Sequence, residues 1–313
     1  MSETGPLFVS SGDLIADRRY NAAIALASRG DFLGAADLLA QMVEMTPNFA
    51  TAWFALGAMR DRLADRDGAV AAFERARDAD PADYHGARLQ LARLGCGDGA
   101  PAMSASYVRR LFDQYAGRYD AALTERLGYR GPAILCDAVE AAMRAAGRPM
   151  HFASALDLGC GTGLAGAAFR PFVASLLGVD LSSAMVAQAA GKALYDRLIA
   201  ADISGFLADE IAAGATYNLI LAADVFVYVN DIAPIVAATG RVLASQGIFA
   251  FTVETHGGAG PKLLPTLRYA YGEAYLRRAI ADAGLTLLAL SAAAIRTEKA
   301  VPVEGLVVVA TSG

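Results

Sequence analysis

Lysine is almost missing from this 313-residue chain. Only Lys192, Lys262 and Lys299 carry it, arginine supplies the rest of the positive charge, and the formal balance is -5 at neutral pH. An acidic chain with scattered cations has no electrostatic footprint for nucleic acid or anionic lipid. Cysteine is scarce too. Cys96, Cys136 and Cys160 are far apart, odd in number and never in a C-x-x-C, which excludes a disulfide framework and a zinc knuckle and leaves no metal site to expect. Long apolar runs are also lacking: the most apolar stretch, residues 219–229, is shorter than the ~20 residues of a spanning helix and contains Asp224. The opening residues, MSETGPLFVSSGDLIADRR, lack the basic start and apolar run of a secretory signal. The expectation is a cytoplasmic protein.

What is present falls into two parts, as the length suggests. Displacing the chain by 34 residues brings Gly34 onto Gly68, Ala35 onto Ala69, Leu39 onto Phe73 and Pro47 onto Pro81. Small residues allow paired helices to approach closely, and each proline ends a helix. Trp53, Leu56, Gly57, Ala69, Phe73, Ala76 and Pro81 resemble the signature of a tetratricopeptide repeat. That resemblance implies an all-α domain over residues 17–95, after a tail at 1–16. Such repeats bind a partner or a second copy, or serve only as packing, and no cluster of Lys and Arg lines a carboxylate clamp to decide between these. Residues 96–104 are rich in Gly and Ala with one Pro and suit a linker.

The rest, 105–313, alternates apolar runs with amphipathic stretches. A helix kinked near Gly117 is expected over 106–127 and another over 132–146. Strands are expected at 153–158, 175–180, 197–201, 218–223, 248–253, 285–290 and 305–310. Helices fit between the first six strands, which argues for a doubly wound parallel sheet; the last two leave room only for an antiparallel hairpin. In the first helix Tyr107, Leu111, Tyr115 and Tyr119 recur every fourth residue, beside Phe112, and form either a core stripe or a cover for a site.

After the first strand comes ALDLGCGTGLAG, residues 155–166, with a G-x-G-x-x-G at Gly161, Gly163 and Gly166 and an acid, Asp180, about 20 residues on. By pattern this is a dinucleotide loop, and an NAD-binding oxidoreductase is one reading. Asp157 weakens it. A carboxylate at the strand end repels a pyrophosphate and welcomes an ammonium group. S-adenosylmethionine carries an ammonium and a sulfonium and no phosphate.

Asp157-Leu158-Gly159-Cys160-Gly161-Thr162-Gly163 resembles motif I of the class I S-adenosylmethionine-dependent methyltransferases. The resemblance extends to Leu177–Ser182, Ala201-Asp202-Ile203, Tyr217–Phe226 and Gly240–Phe249, where Gln246 replaces the first glycine of an L-x-x-G-G turn. It implies an α/β fold, a seven-stranded Rossmann-like sheet over 148–313 preceded by a helical lid at 105–147. It also implies a cofactor site. Gly159, Cys160 and Gly161 would lie against the methionyl part, Asp180 and Leu181 at the ribose, Met185, Asp202 and Ile203 around the adenine, and Ala222 near the transferred methyl. Tyr107, Tyr115 and Tyr119 would close over it. Three acids at successive strand ends also fit helix capping one at a time, but together they converge on the ligand crevice of an open sheet.

Methyl transfer needs alignment above all, and a base only when the acceptor must lose a proton. His256, in the glycine-rich loop after the fifth strand, is the first candidate base, followed by Asp224 and Tyr228; a solvated loop histidine is the plainer alternative. The whole chain resembles methyltransferases with N-terminal tetratricopeptide repeats. The expected function is methylation of a small molecule, with a protein methyltransferase or an adaptor recruited through the repeats as the alternative.

Overall fold

The computed structural model describes residues 8–97, 102–121, 129–298 and 301–313. It divides into two compact units, one ending at Leu111 and one beginning at Phe112. The division therefore falls within a helix, C-terminal to the expected linker, part of which (98–101) lies outside the described residues, as does 122–128 of the expected lid helix.

The first unit is helical: α1 (Leu14–Ser28), α2 (Phe32–Met45), α3 (Ala50–Arg62), α4 (Arg66–Ala79), α5 (Ala87–Arg93) and most of α6 (Ala105–Tyr115). The repetition seen in the sequence has a physical counterpart at the start of α2 and α4. The Asp31 carboxylate accepts the Gly34 N–H at 2.8 Å and Asp65 accepts the Gly68 N–H at 3.0 Å, each capping its helix. A Cβ at Gly34 would come within 2.5 Å of the Asp31 carboxylate, so glycine follows from the cap. Gly57 lets α3 meet the Phe73 ring of α4, which a Cβ would approach to 2.7 Å. Tyr20, Leu39, Met42, Phe49 and Leu56 form the core of this unit.

The second unit runs α7 (Tyr119–Ala121), α8 (Gly131–Ala145), β1 (Phe152–Leu158), α9 (Leu164–Phe169), β2 (Val173–Asp180), α10 (Ser183–Ala190), β3 (Arg197–Ala200), α11 (Ile203–Ala213), β4 (Tyr217–Ala222), α12 (Ala233–Val242) and β5 (Leu243–Thr255). It continues with β6 (Pro261–Leu263), β7 (Tyr269–Tyr271), α13 (Glu273–Asp282), β8 (Thr286–Glu298) and β9 (Val301–Thr311). Strands β3-β2-β1-β4-β5 pair in parallel, β9 is antiparallel to β5, and β8 is antiparallel to β9. This is a Rossmann-like parallel sheet ending in the antiparallel hairpin expected from the sequence. The short β6 and β7 were not expected; they extend the sheet from the C-terminal end of β5. Leu156, Leu158, Leu219, Leu221, Ile248 and Ala250 are buried, as the central strands of a sheet covered on both faces must be.

Gln246 sits at φ 56°, the conformation a glycine would hold there, and the β4–β5 register shifts at this point. No helix among the described residues is long and apolar enough to cross a membrane.

Candidate cofactor and acceptor site

The site lies at the C-terminal ends of β1, β2 and β4, where an open parallel sheet places its ligands. The chain turns out of β1 through Gly159 (φ 69°) and Gly161 (φ 54°), both in the left-handed region that favours glycine. A Cβ at Gly159 would meet Val225 at 2.5 Å, whereas nothing lies within 4 Å of one at Gly161. The first glycine is therefore required by the protein's own packing, and the second leaves open space.

Asp157 is 1% exposed; one oxygen, Oδ2, accepts the Tyr195 hydroxyl at 2.7 Å, and the other, Oδ1, has no hydrogen-bond partner among the described residues. Burial pushes its carboxyl up to about 7, although the Tyr195 hydroxyl pulls it down. A buried carboxylate oxygen without a donor fits a cationic ligand group, which would satisfy it and stabilise its ionised form. Cys160 is buried beside it, and its thiol is held well above the usual range by burial and the Asp157 charge, so it is inert.

Asp180 ends β2. Its Oδ2 accepts the Gly161 N–H at 2.9 Å and its Oδ1 the Ser182 N–H at 2.8 Å, leaving one lone pair on each oxygen for a pair of hydroxyls. Burial raises its carboxyl and the two N–H bonds lower it. Leu181 beside it is half-buried, and Met185 is buried on α10, its N–H donated to Ser182 Oγ. Asp202 is exposed and caps α11, accepting the Ser204 and Gly205 N–H groups with Oδ1. Capping uses only one of its oxygens, so it does not compete with contact to an adenine amine. Ile203 follows, half-buried. Ala222 is fully buried inside β4, and Ala223, one residue on, lines the cleft instead.

That cleft lies between Tyr119, Tyr129 and the loop from Gly159 to Thr162. Two carboxylates of the segment before the sheet reach across to it. Asp113 accepts the Ser182 hydroxyl at 2.5 Å, and Asp120 accepts the Thr162 hydroxyl and pairs with Lys192 at 2.6 Å. Between them Tyr119 meets Tyr115 edge-on, with ring centroids 5.7 Å apart, and Phe112 meets Tyr119 and Tyr228. Tyr115 and Tyr119 thus belong to this layer. Tyr107 lies in the first unit, with its ring against Gly86, where a Cβ would meet it at 2.8 Å.

The two candidate bases take other roles. His256 turns back on its own loop, with Nδ1 accepting the Gly258 N–H at 3.0 Å and Nε2 bonded to the Gly260 carbonyl at 2.7 Å. Both ring nitrogens are thus engaged within the loop. Asp224 is buried in a four-charge cluster: it pairs with Arg268 at 2.9 Å and Arg296 at 3.5 Å, while Glu254 pairs with Arg296 at 2.6 Å and lies 3.0 Å from Arg268 Nε, off the line of a hydrogen bond. Both of its oxygens are thus taken up by guanidinium groups and face no acceptor. His256→Ala is therefore expected to leave methyl transfer within a few-fold of wild type under saturating substrate, whereas loss of a general base costs about 10²–10⁴-fold.

The sequence reading missed Tyr195, Tyr129, the Asp113 and Asp120 contacts and the Glu254, Arg268 and Arg296 cluster, all of which depend on contacts distant in sequence. Tyr228 was anticipated; its ring lies 5.2 Å from the Arg268 guanidinium. Burial raises the phenols of Tyr119, Tyr129 and Tyr228, so all three stay protonated near neutral pH.

Residues 156–249 match the family model described as a methyltransferase domain. Human methyltransferase-like protein 27 is 37% identical over 107 residues, which span 34% of this chain and 41% of the human protein, so the match covers less than half of that relative. Among solved structures, an S-adenosylmethionine-dependent methyltransferase of Clostridium acetobutylicum is 18% identical with a TM-score of 0.47, covering 65% of this chain and 99% of the other. The magnesium protoporphyrin IX methyltransferase of Synechocystis, with bound S-adenosylmethionine, is 17% identical with a TM-score of 0.45, covering 64% and 84%. The C-terminal part of this chain is a class I S-adenosylmethionine-dependent methyltransferase domain.

Proposed function

We propose that the protein is a cytoplasmic methyltransferase that acts on a small-molecule acceptor, with tetratricopeptide repeats as its N-terminal unit. The observation that carries the acceptor class is the Asp113–Ser182 and Asp120–Thr162 bridging, which ties the segment bearing Tyr119 down onto the glycine loop and the start of α10. A bulky macromolecular acceptor has little room there.

When bound, the cofactor supplies a methyl group on a positively charged sulfur. Asp157 Oδ1 takes its ammonium, the free lone pairs of Asp180 its ribose hydroxyls, and Asp202 and Met185 its adenine. Tyr115 and Tyr119 exclude water from the sulfur and face it with aromatic rings. Tyr119 and Tyr129 line the cleft as neutral phenols, so they would orient the acceptor by hydrogen bonds and would not repel a positive sulfur. Alignment of this kind is worth roughly 7–11 kcal/mol of a barrier. The three unpaired cysteines suit a reducing compartment.

The shared Asp31–Gly34 and Asp65–Gly68 caps and the Gly57–Phe73 contact support the repeat assignment. Leu14, Ile15, Leu33 and Met45 are all more than half exposed on that unit, which favours a second reading, in which the repeats recruit a protein substrate or another copy. Incubation with methyl-labelled cofactor and a whole-cell extract, separated by size, distinguishes them. Label in the low-mass fraction supports the proposal, and label confined to protein supports the second reading.

A further inference from the structure

Asp157 of β1 is in register with Gly178 of the neighbouring parallel strand β2, so the two positions face the same side of the sheet. The space that a side chain at 178 would fill holds the Tyr195 ring, which a Cβ there would approach to 2.8 Å. Gly163 and Gly166 flank the same ring: a Cβ at Gly163 would come to 3.0 Å from it, and one at Gly166 would overlap its hydroxyl. Three glycines thus make a channel through which Tyr195, from the loop after α10, reaches Asp157 Oδ2 at 2.7 Å. The last glycine of the G-x-G-x-x-G, which a dinucleotide fold uses to bring helix against strand, makes room here for a phenol.

We propose that Tyr195 is a positioning residue for cofactor capture: its hydroxyl fixes one oxygen of Asp157 so that the other, Oδ1, is held bare for the cofactor's ammonium. The inference rests on the methyltransferase reading and adds to it a residue outside every motif that carries that reading. The same bond helps Asp157 to ionise. Its carboxyl stands at about 7 with the Tyr195 hydroxyl pulling it down, so loss of the hydroxyl moves it up. An ammonium ligand binds the ionised form, so affinity should rise with pH through that value, until the ligand's own amino group begins to deprotonate at more alkaline pH.

The test is calorimetric titration of the full chain with S-adenosylhomocysteine across about pH 6 to 8, in wild type, Tyr195→Phe, Asp157→Asn and the double variant. Phenylalanine keeps the ring in its channel, so the fold is retained. Tyr195→Phe should bind roughly tenfold more weakly at neutral pH, and the rise of affinity should move to higher pH, as expected when a hydrogen bond to a charged group is lost. In the Asp157→Asn background the Tyr195→Phe change should have no further effect, because the coupling is between these two groups. A residue that merely packs would lower the melting temperature and leave the pH profile in place. Unchanged affinity and profile in Tyr195→Phe, beside a wild type that binds, overturns the proposal alone; a wild type that does not bind overturns the methyltransferase reading with it.

Discussion

An Arg296→Ala variant is expected to lose about 3–5 kcal/mol of folding stability, the usual cost of removing one partner from a buried ionic group. Arg296 is 1% exposed and is the largest of the fully buried side chains. It bonds Glu254 at 2.6 Å and lies 3.5 Å from Asp224, so its removal leaves two buried carboxylates facing the single guanidinium of Arg268. Two acids and two arginines balance; two acids and one do not. A urea titration of the full chain followed by circular dichroism measures the loss. A loss below about 1 kcal/mol would mean that the cluster is solvated and no more costly to break than a surface pair.

Asp180→Ala should weaken S-adenosylhomocysteine binding by roughly 2–4 kcal/mol, since two hydroxyls lose a charged acceptor. The sequence alone assigns Asp180 only to the ligand, which would leave the apo protein with little loss of stability on replacement. The geometry changes that expectation. Asp180 also holds the N–H groups of Gly161 and Ser182, so alanine loosens the glycine loop and the start of α10 even without ligand. Asp180→Asn is accordingly not neutral: whichever way the amide is turned, its NH₂ faces one of those two backbone donors. The expected order of affinity is wild type, then Asn, then Ala. Equal affinity in all three by calorimetry would remove Asp180 from the site.

The parallel sheet was legible because its strands are short, apolar and separated by helical stretches, and the acids at three strand ends were legible because each ends a recognisable run. β6 and β7 were not, since three residues carry no periodicity. The roles of His256 and Asp224 were misread for one reason. A residue type at the mouth of a crevice shows what it could do if its lone pairs were free, and only the fold shows that Gly258 and Gly260 occupy one and two arginines the other. Tyr195 is the converse. Its partner is 38 residues away, and the three glycines that admit it are individually explained by other motifs. Tyr107 was grouped with Tyr115 and Tyr119 by a spacing that holds along the helix, while the contacts divide at Leu111.

A glycine loop with a buried acid behind it should hold an ammonium-bearing cofactor and reject a pyrophosphate. The decisive measurement is a pair of titrations of the purified full chain, one with S-adenosylhomocysteine and one with NAD. Asp157, buried with one oxygen bare, should give saturable binding of S-adenosylhomocysteine and none of NAD, and Asp157→Ala should weaken the former. Binding of NAD that tightens in Asp157→Ala, with no binding of S-adenosylhomocysteine, would contradict the account.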